Sequence, residues 1–175
     1  MSLKCKLWHN GPNYTADSVI INPASQKILL IKRSSGEWAL PGGFIDPEED
    51  SLAAAIREAR EETGVTISDD PILIYRGLVD DPRNIEASWI ETSAYLFISS
   101  ELPEVSGCDD AIDAAWLSLD NLPKLYASHS DILSRAIDYL SCMPLFKIVE
   151  HAENYYKVNG GHMQYDKIIA TKNDH

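Results

Sequence analysis

Cysteine is scarce in this chain, and its scarcity excludes several classes of protein. Three cysteines, Cys5, Cys108 and Cys142, stand far apart in 175 residues. An odd number without a CxxC pair builds neither a disulfide framework nor a zinc finger, so a reducing compartment is expected and the thiols read as small packed hydrophobes. Long apolar runs are also missing. None reaches the roughly 20 residues that cross a bilayer, and the start MSLKCKLWHN lacks a secretory pattern, so the cytoplasm is the expected location. Basic charge is the third shortage. Against 27 Asp and Glu there are 15 Lys and Arg, a net charge of -12, so a nucleic-acid surface is not expected, nor a membrane partner.

What remains is ordinary for a folded domain, with 45% hydrophobic and 24% charged residues. "DSVIINPASQKILLIKR", 17–33, reads as a hairpin around "NPAS". "WALPGGF" follows as a loop whose glycines let backbone approach a ligand. From Ser51 to Thr63 the pattern turns helical, with Leu52, Ala55, Ile56, Ala59 and Thr63 on one stripe. Asp50 or Ser51 caps the start and Gly64 the end. Further strands are expected at 72–79, 92–98 and 114–119, and a second helix at 130–140 with Ile132, Leu133, Ala136, Ile137 and Leu140 inward. Strands mixed with two helices predict an α/β domain over 1–141, its sheet covered on both faces. The extension 142–175 contains "YYKVNGGHMQY", which reads as a hairpin or as helix running on.

The first helix is too acidic for its own good. Glu58, Glu61 and Glu62 crowd one region, and the i,i+4 pair Glu58 and Glu62 costs about 0.2–0.5 kcal/mol. Glu61 and Glu62 also fall in the last turn, where the helix dipole disfavours anions. Pairing Arg57 with Glu61 explains two of these residues and leaves Glu58 and Glu62 without a cation at helical spacing. A divalent cation resolves the conflict. Mg²⁺ takes oxygen ligands, keeps several waters and is usually shared with substrate phosphates.

The surroundings sharpen this. From Gly43 the chain reads "GFIDPEEDSLAAAIREAREETGV", which is G-x5-E-x7-R-E-U-x-E-E-x-G-U with U aliphatic, complete over 23 residues. This is the Nudix box, and the chain resembles the Nudix hydrolases. The resemblance implies an α/β/α sandwich with a mixed central sheet, and cleavage of a nucleoside diphosphate linked to another group. By position, Glu58, Glu61, Glu62 and the Gly42 carbonyl would hold Mg²⁺, with Mn²⁺ as an alternative, while Arg57 and Glu49 would brace loop and helix. In the family an acidic residue often lies six positions before a strand tryptophan. Here that is Asp110 before Trp116, with Asp109 beside it, either one a metal ligand or the catalytic base.

Three more stretches, "GPNYTAD", "RGLVDDPRNIEASWIET" and "LYASHSDIL", look like the mitochondrial-type ADP-ribose pyrophosphatases and the related channel-fused domain, over roughly 11–140. In "DDPRN", Asp81 can accept ribose hydroxyls and Arg83 can grip phosphate, though a plain Asp-Pro turn with an ion pair is the bland alternative. In "YASH", Tyr126 and His129 would touch the terminal ribose or a phosphate. The competing reading is a helix start capped by Ser128 or Ser130. Trp38 and Trp89 are candidates to stack on adenine. The implied reaction is Mg²⁺-assisted hydrolysis of ADP-ribose to AMP and ribose 5-phosphate. NADH, diadenosine polyphosphates, oxidised nucleoside triphosphates and a non-cleaving ADP-ribose sensor stay open. A homodimer is a family habit that no residue here demands.

Overall fold

The computed structural model describes residues 7–67, 70–109 and 111–143. The expected hairpin forms from β1 (Gly11–Asn22) and β2 (Lys27–Arg33), antiparallel through Ile20 and Leu29. β1 begins well before the apolar run because it also pairs in parallel with β6 (Ser88–Ile98), from Gly11 opposite Ser88 to Ile21 opposite Ile98. That long partner extends β6 four residues before the expected start at Thr92. The segment read as a loop holds two short strands instead, β3 (Trp38–Ala39) on β2 and β4 (Gly42–Phe44) on β1. Pro41 separates them, since it has no N–H to give a ladder. β5 (Ile72–Leu78) pairs with β6, and β7 (Ala111–Ser118) pairs with β2. The order β3-β2-β1-β6-β5, with β4 and β7 attached, makes a mixed sheet.

Period-two alternation decides which helix each strand residue meets. Ala16, Ile20, Leu29, Tyr95 and Phe97 pack with Ala54, Ala55 and Ala59 of α1 (Ser51–Thr63). Ser18, on the same face, donates its Oγ–H to the Ala55 carbonyl at 2.9 Å. Val19, Ile21, Ile28, Leu30, Leu96 and Ile98 point the other way, onto Ile132, Leu133 and Ala136 of α2 (His129–Cys142). The sheet is therefore covered on both faces, as the sequence implied. No helix among the described residues is long and apolar enough to cross a membrane.

Several expectations need correction. Ile137 is 38% exposed, because α2 presents only a narrow stripe to the sheet. Ser128 precedes α2 without a side-chain cap bond; its carbonyl instead accepts from Asp131 and Ile132. Cys108 and Cys142 are free and exposed rather than packed. The hairpin or helix expected near 155–165 lies outside the described residues.

The ends of α1 match the expectation closely. One Asp50 carboxylate oxygen accepts from the N–H groups of Leu52 and Ala53 at 2.9 and 2.8 Å. Gly64 closes the helix at φ 73°, a left-handed position that glycine adopts without strain. Replacing Asp50 by Ala should lower stability by about 0.5–2 kcal/mol in urea denaturation. An unchanged midpoint would mean that the cap contributes nothing.

Candidate active site

β4 runs beside β1, with Gly42 opposite Asp17, Gly43 opposite Ala16 and Phe44 opposite Thr15. α1 lies against this edge and brings its acidic turn to the two glycines. No larger residue fits there. A Cβ on Gly42 would collide with the Ala16 carbonyl and the Asp17 side chain, and one on Gly43 with the Glu58 carboxylate. The glycines let backbone approach the protein's own carboxylates, which is the closeness that a shared ligand would need.

A cleft of about 400 Å³ opens at this junction. Its walls include Gly42, Glu58, Glu61 and Glu62 from the helix side, and Asp81, Arg83, Tyr126 and His129 from the loops. Asp109 also lines it, whereas Asp110 falls outside the described residues. The volume is in the usual range for a small-molecule site.

The acidic turn has a central arginine. Arg57 donates to Glu49 through Nε and Nη2 at 3.0 and 2.9 Å, and to the Phe44 carbonyl at 3.1 Å. Its Nη1 reaches Glu58 at 2.8 Å and Glu61 at 3.1 Å. The contact with Glu58 corrects the sequence argument, which left that residue without a cation. Adjacent helical residues do not share a face, but the long guanidinium stem bends across.

Glu62 is different. It is 5% exposed, it has no cation within salt-bridge distance among the described residues, and its Oε2 accepts one hydrogen bond, from the Gly42 N–H at 2.9 Å. Burial pushes its pKa up to about 8; the Gly42 bond works against this and repulsion from Glu58 adds to it. Burial also raises Glu58, with Arg57 opposing.

No three acidic or histidine side chains among the described residues converge at metal-ligand geometry. Arg57 occupies Glu58 and Glu61, each of which accepts from its Nη1. Glu58, Glu61, Glu62 and the Gly42 carbonyl still offer only oxygen donors, a set that suits Mg²⁺ or Mn²⁺ and not softer metals. These residues fit a hard cation once the grip of Arg57 on Glu58 and Glu61 loosens.

The other wall holds the substrate candidates. Asp81 receives Arg83 three times, from the backbone N–H, Nε and Nη2, each at 2.8 Å. Burial raises the Asp81 carboxyl and the Arg83 bonds more than offset it, leaving it below its usual value. The bland reading of "DDPRN" is thus observed, yet both side chains face the cleft. His129 accepts the Leu40 N–H on Nδ1 at 2.8 Å, and burial keeps its pKa low, so the neutral ring carries its proton on Nε2. Tyr126 packs edge-on to this ring at 5.8 Å, and burial raises the pKa of its phenol.

Sequence reasoning missed three residues. Asp17 lines the cleft, its Oδ2 bonded by the Thr92 hydroxyl and its Oδ1 4.0 Å from His129 Nε2. The signal was a charge two positions before Val19 on a core-facing strand. Arg33 lines the cleft at the end of β2. Trp8, 65% exposed, stacks on Phe44 at 4.6 Å at the rim. Neither Trp38 nor Trp89 is on the cleft wall. Trp38 packs on the α2-side core, and the Trp89 indole donates to Glu91 at 2.9 Å.

Glu62 makes metal-free stability depend on pH. Its folded pKa, about 8, exceeds the ordinary value of 4.5, so the folded state binds the proton more tightly. This contribution is fully present below pH 4.5 and is lost as pH rises through 8. Urea denaturation with chelator should show Glu62→Gln flattening the decline between pH 5 and 9, in about the window set by these values. Equal slopes for variant and wild type would show that the carboxyl is not desolvated.

The comparisons with known proteins agree with this geometry. A model of the NUDIX domain matches residues 12–136. The chain is 34% identical over 163 residues to the rat mitochondrial ADP-ribose pyrophosphatase, covering 70% of this chain and 47% of that protein. It thus spans about half the length of that relative. Over 135 residues it is 35% identical to an ADP-ribose pyrophosphatase of Methanocaldococcus jannaschii, covering 74% of this chain and 73% of the relative. The NUDIX domain of Shewanella oneidensis NrtR, solved in complex with ADP ribose, superposes with a TM-score of 0.63 at 25% identity, over 74% of this chain and 89% of that one. With the box carboxylates, the mixed sheet and its two covering helices in place, the chain belongs to the NUDIX family.

Proposed function

We propose that this protein hydrolyses the diphosphate bond of ADP-ribose to AMP and ribose 5-phosphate, with a divalent cation, Mg²⁺ or Mn²⁺, held by Glu58, Glu61, Glu62 and the Gly42 carbonyl. The observation that carries this reading is Glu62, a buried carboxylate with no paired cation among the described residues, in a cleft of about 400 Å³. The cation, when bound, neutralises the diphosphate and acidifies a coordinated water. Water adds across the P–O–P bridge, so one P–O bond forms, another breaks, and each product leaves with its own phosphate. The water's proton goes to a carboxylate, Asp109 on the cleft wall or Asp110 beside it.

The sugar end is read from the other wall. His129 Nε2–H and Asp17 Oδ1 stand 4.0 Å apart, too far to bond each other. A ribose hydroxyl between them accepts from the first and donates to the second. Because Asp17 would repel a phosphate there, His129 is assigned to the ribose. Tyr126 closes the same corner, and Arg83 with Asp81 flanks the diphosphate. The rat and Methanocaldococcus relatives are named for cleaving ADP-ribose and the Shewanella domain binds it, which supports this substrate over NADH, diadenosine polyphosphates and oxidised nucleoside triphosphates. A complete set of box carboxylates favours cleavage over a sensor that only binds.

Incubating a panel of these nucleotides with Mg²⁺, with and without chelator, should yield AMP and ribose 5-phosphate from ADP-ribose, and nothing once the metal is removed. Preferential cleavage of another member would replace the substrate. Glu62→Gln should lower turnover by roughly two orders of magnitude or more while ADP-ribose still binds, as expected when charge stabilisation of a transition state is lost. Near-normal turnover would remove Glu62 from the metal site.

A further inference from the structure

Three arginines line the cleft, and two are already committed. Arg57 is divided among Glu49, Glu58 and Glu61, and Arg83 is clamped on Asp81. Arg33 makes no ion pair among the described residues, although Asp17, Glu62 and Asp81 line the same cleft. A guanidinium that forms no ion pair, among the described residues, with the carboxylates lining its cleft keeps its N–H donors for an anionic ligand.

The fold positions this side chain rather than leaving it loose. β2 and β7 shift register between Lys32 and Arg33, where Lys32 faces Asp113 and Arg33 faces Ala111. Ile112 is thereby skipped, and a bulge of this kind bends the ladder and re-aims the side chains beside it. A tight turn fixes the backbone, with Arg33 N–H donating to Glu37 O at 2.9 Å and Arg33 O accepting from Gly36 N–H at 2.8 Å. The guanidinium then lies 4.4 Å over the Tyr126 ring. A cation over the ring face is attracted to its π electrons without using its N–H donors on a carboxylate. Arg33 lines the same cleft as Glu62, Asp81 and His129.

We infer that Arg33 is the phosphate-gripping cation of this cleft: its guanidinium, held over the Tyr126 ring, takes diphosphate oxygens that the divalent cation leaves uncovered. This rests on the reading of the substrate as a nucleoside diphosphate derivative. It gives Arg33 the role that the sequence assigned to Arg83, whose donors already serve Asp81. A planar fork matches two phosphate oxygens at once, which an ammonium does not.

The test compares Arg33→Ala and Arg33→Lys with wild type, using ADP-ribose as substrate and AMP, ribose 5-phosphate and adenosine as competitors. Arg33→Ala should raise the KM for ADP-ribose by roughly 10–100-fold, the loss expected for a charge-assisted hydrogen bond, and change kcat much less. At least one of AMP and ribose 5-phosphate should weaken by a similar factor. Adenosine, which has no phosphate, should compete as before. Arg33→Lys should recover part of the loss, and it serves alone if the Ala variant does not fold. The inference is overturned if KM and both phosphorylated competitors stay within about twofold of wild type, or if adenosine weakens as much as AMP. If wild type cleaves another diphosphate and spares ADP-ribose, the proposed substrate fails while Arg33 is judged on the KM for that compound.

Discussion

A carboxylate buried beside Gly42 is the constraint around which the cleft is arranged. Glu62 takes one hydrogen bond, from the Gly42 N–H, and is otherwise enclosed by the edge of the sheet. Desolvation of a lone carboxylate costs several kcal/mol unless it is protonated or paired. The metal-free protein meets that cost by raising the pKa of the group. A bound divalent cation would meet it differently and would add the positive charge that a diphosphate needs. Gly42 and Gly43 keep these approaches close, since a side chain on Gly42 would strike Ala16 and Asp17 of β1 and one on Gly43 would strike the Glu58 carboxylate.

Arg57 links this centre to the rest of the box. By holding Glu49, the Phe44 carbonyl, Glu58 and Glu61 together, it fixes the loop before α1 against the helix's acidic turn. Its Nη1 occupies one oxygen each of Glu58 and Glu61. On the proposed reading, cation binding would exchange partners at Glu58 and Glu61 and add charge at Glu62. The opposite wall needs no such exchange, because His129, Asp81 and Tyr126 are held by Leu40, Arg83 and Arg33.

Much of this was legible in the sequence. α1 appeared with both caps because capping is local chemistry, and the two-sided sheet followed from apolar alternation in β1 and β2. What the sequence obscured depends on distant partners. β1 and β6 ran longer than their apolar cores because parallel pairing extended them, and Pro41 divided what looked like a loop into two strands. Spacing rules gave Glu58 no cation, yet a flexible arginine next to it reached across. Asp17 and Arg33 escaped notice for the same reason. A charge in the middle of β1 or at the end of β2 gives no sign of facing a cleft until β4, β7 and the loop before α2 are folded against it. Adenine stacking was assigned to Trp38 and Trp89 by residue type alone, whereas only the fold could show that Trp8 stands at the rim.

The central claim is that a divalent cation settles among Glu58, Glu61 and Glu62 and displaces the proton that burial keeps on Glu62. Calorimetric titration of Mg²⁺ or Mn²⁺ into the protein at pH 7, repeated in buffers of different ionisation enthalpy, measures uptake and proton release together. The account predicts saturable binding with proton release that disappears in Glu62→Gln. Absence of uptake, with or without AMP present, or uptake with no proton released, would contradict it.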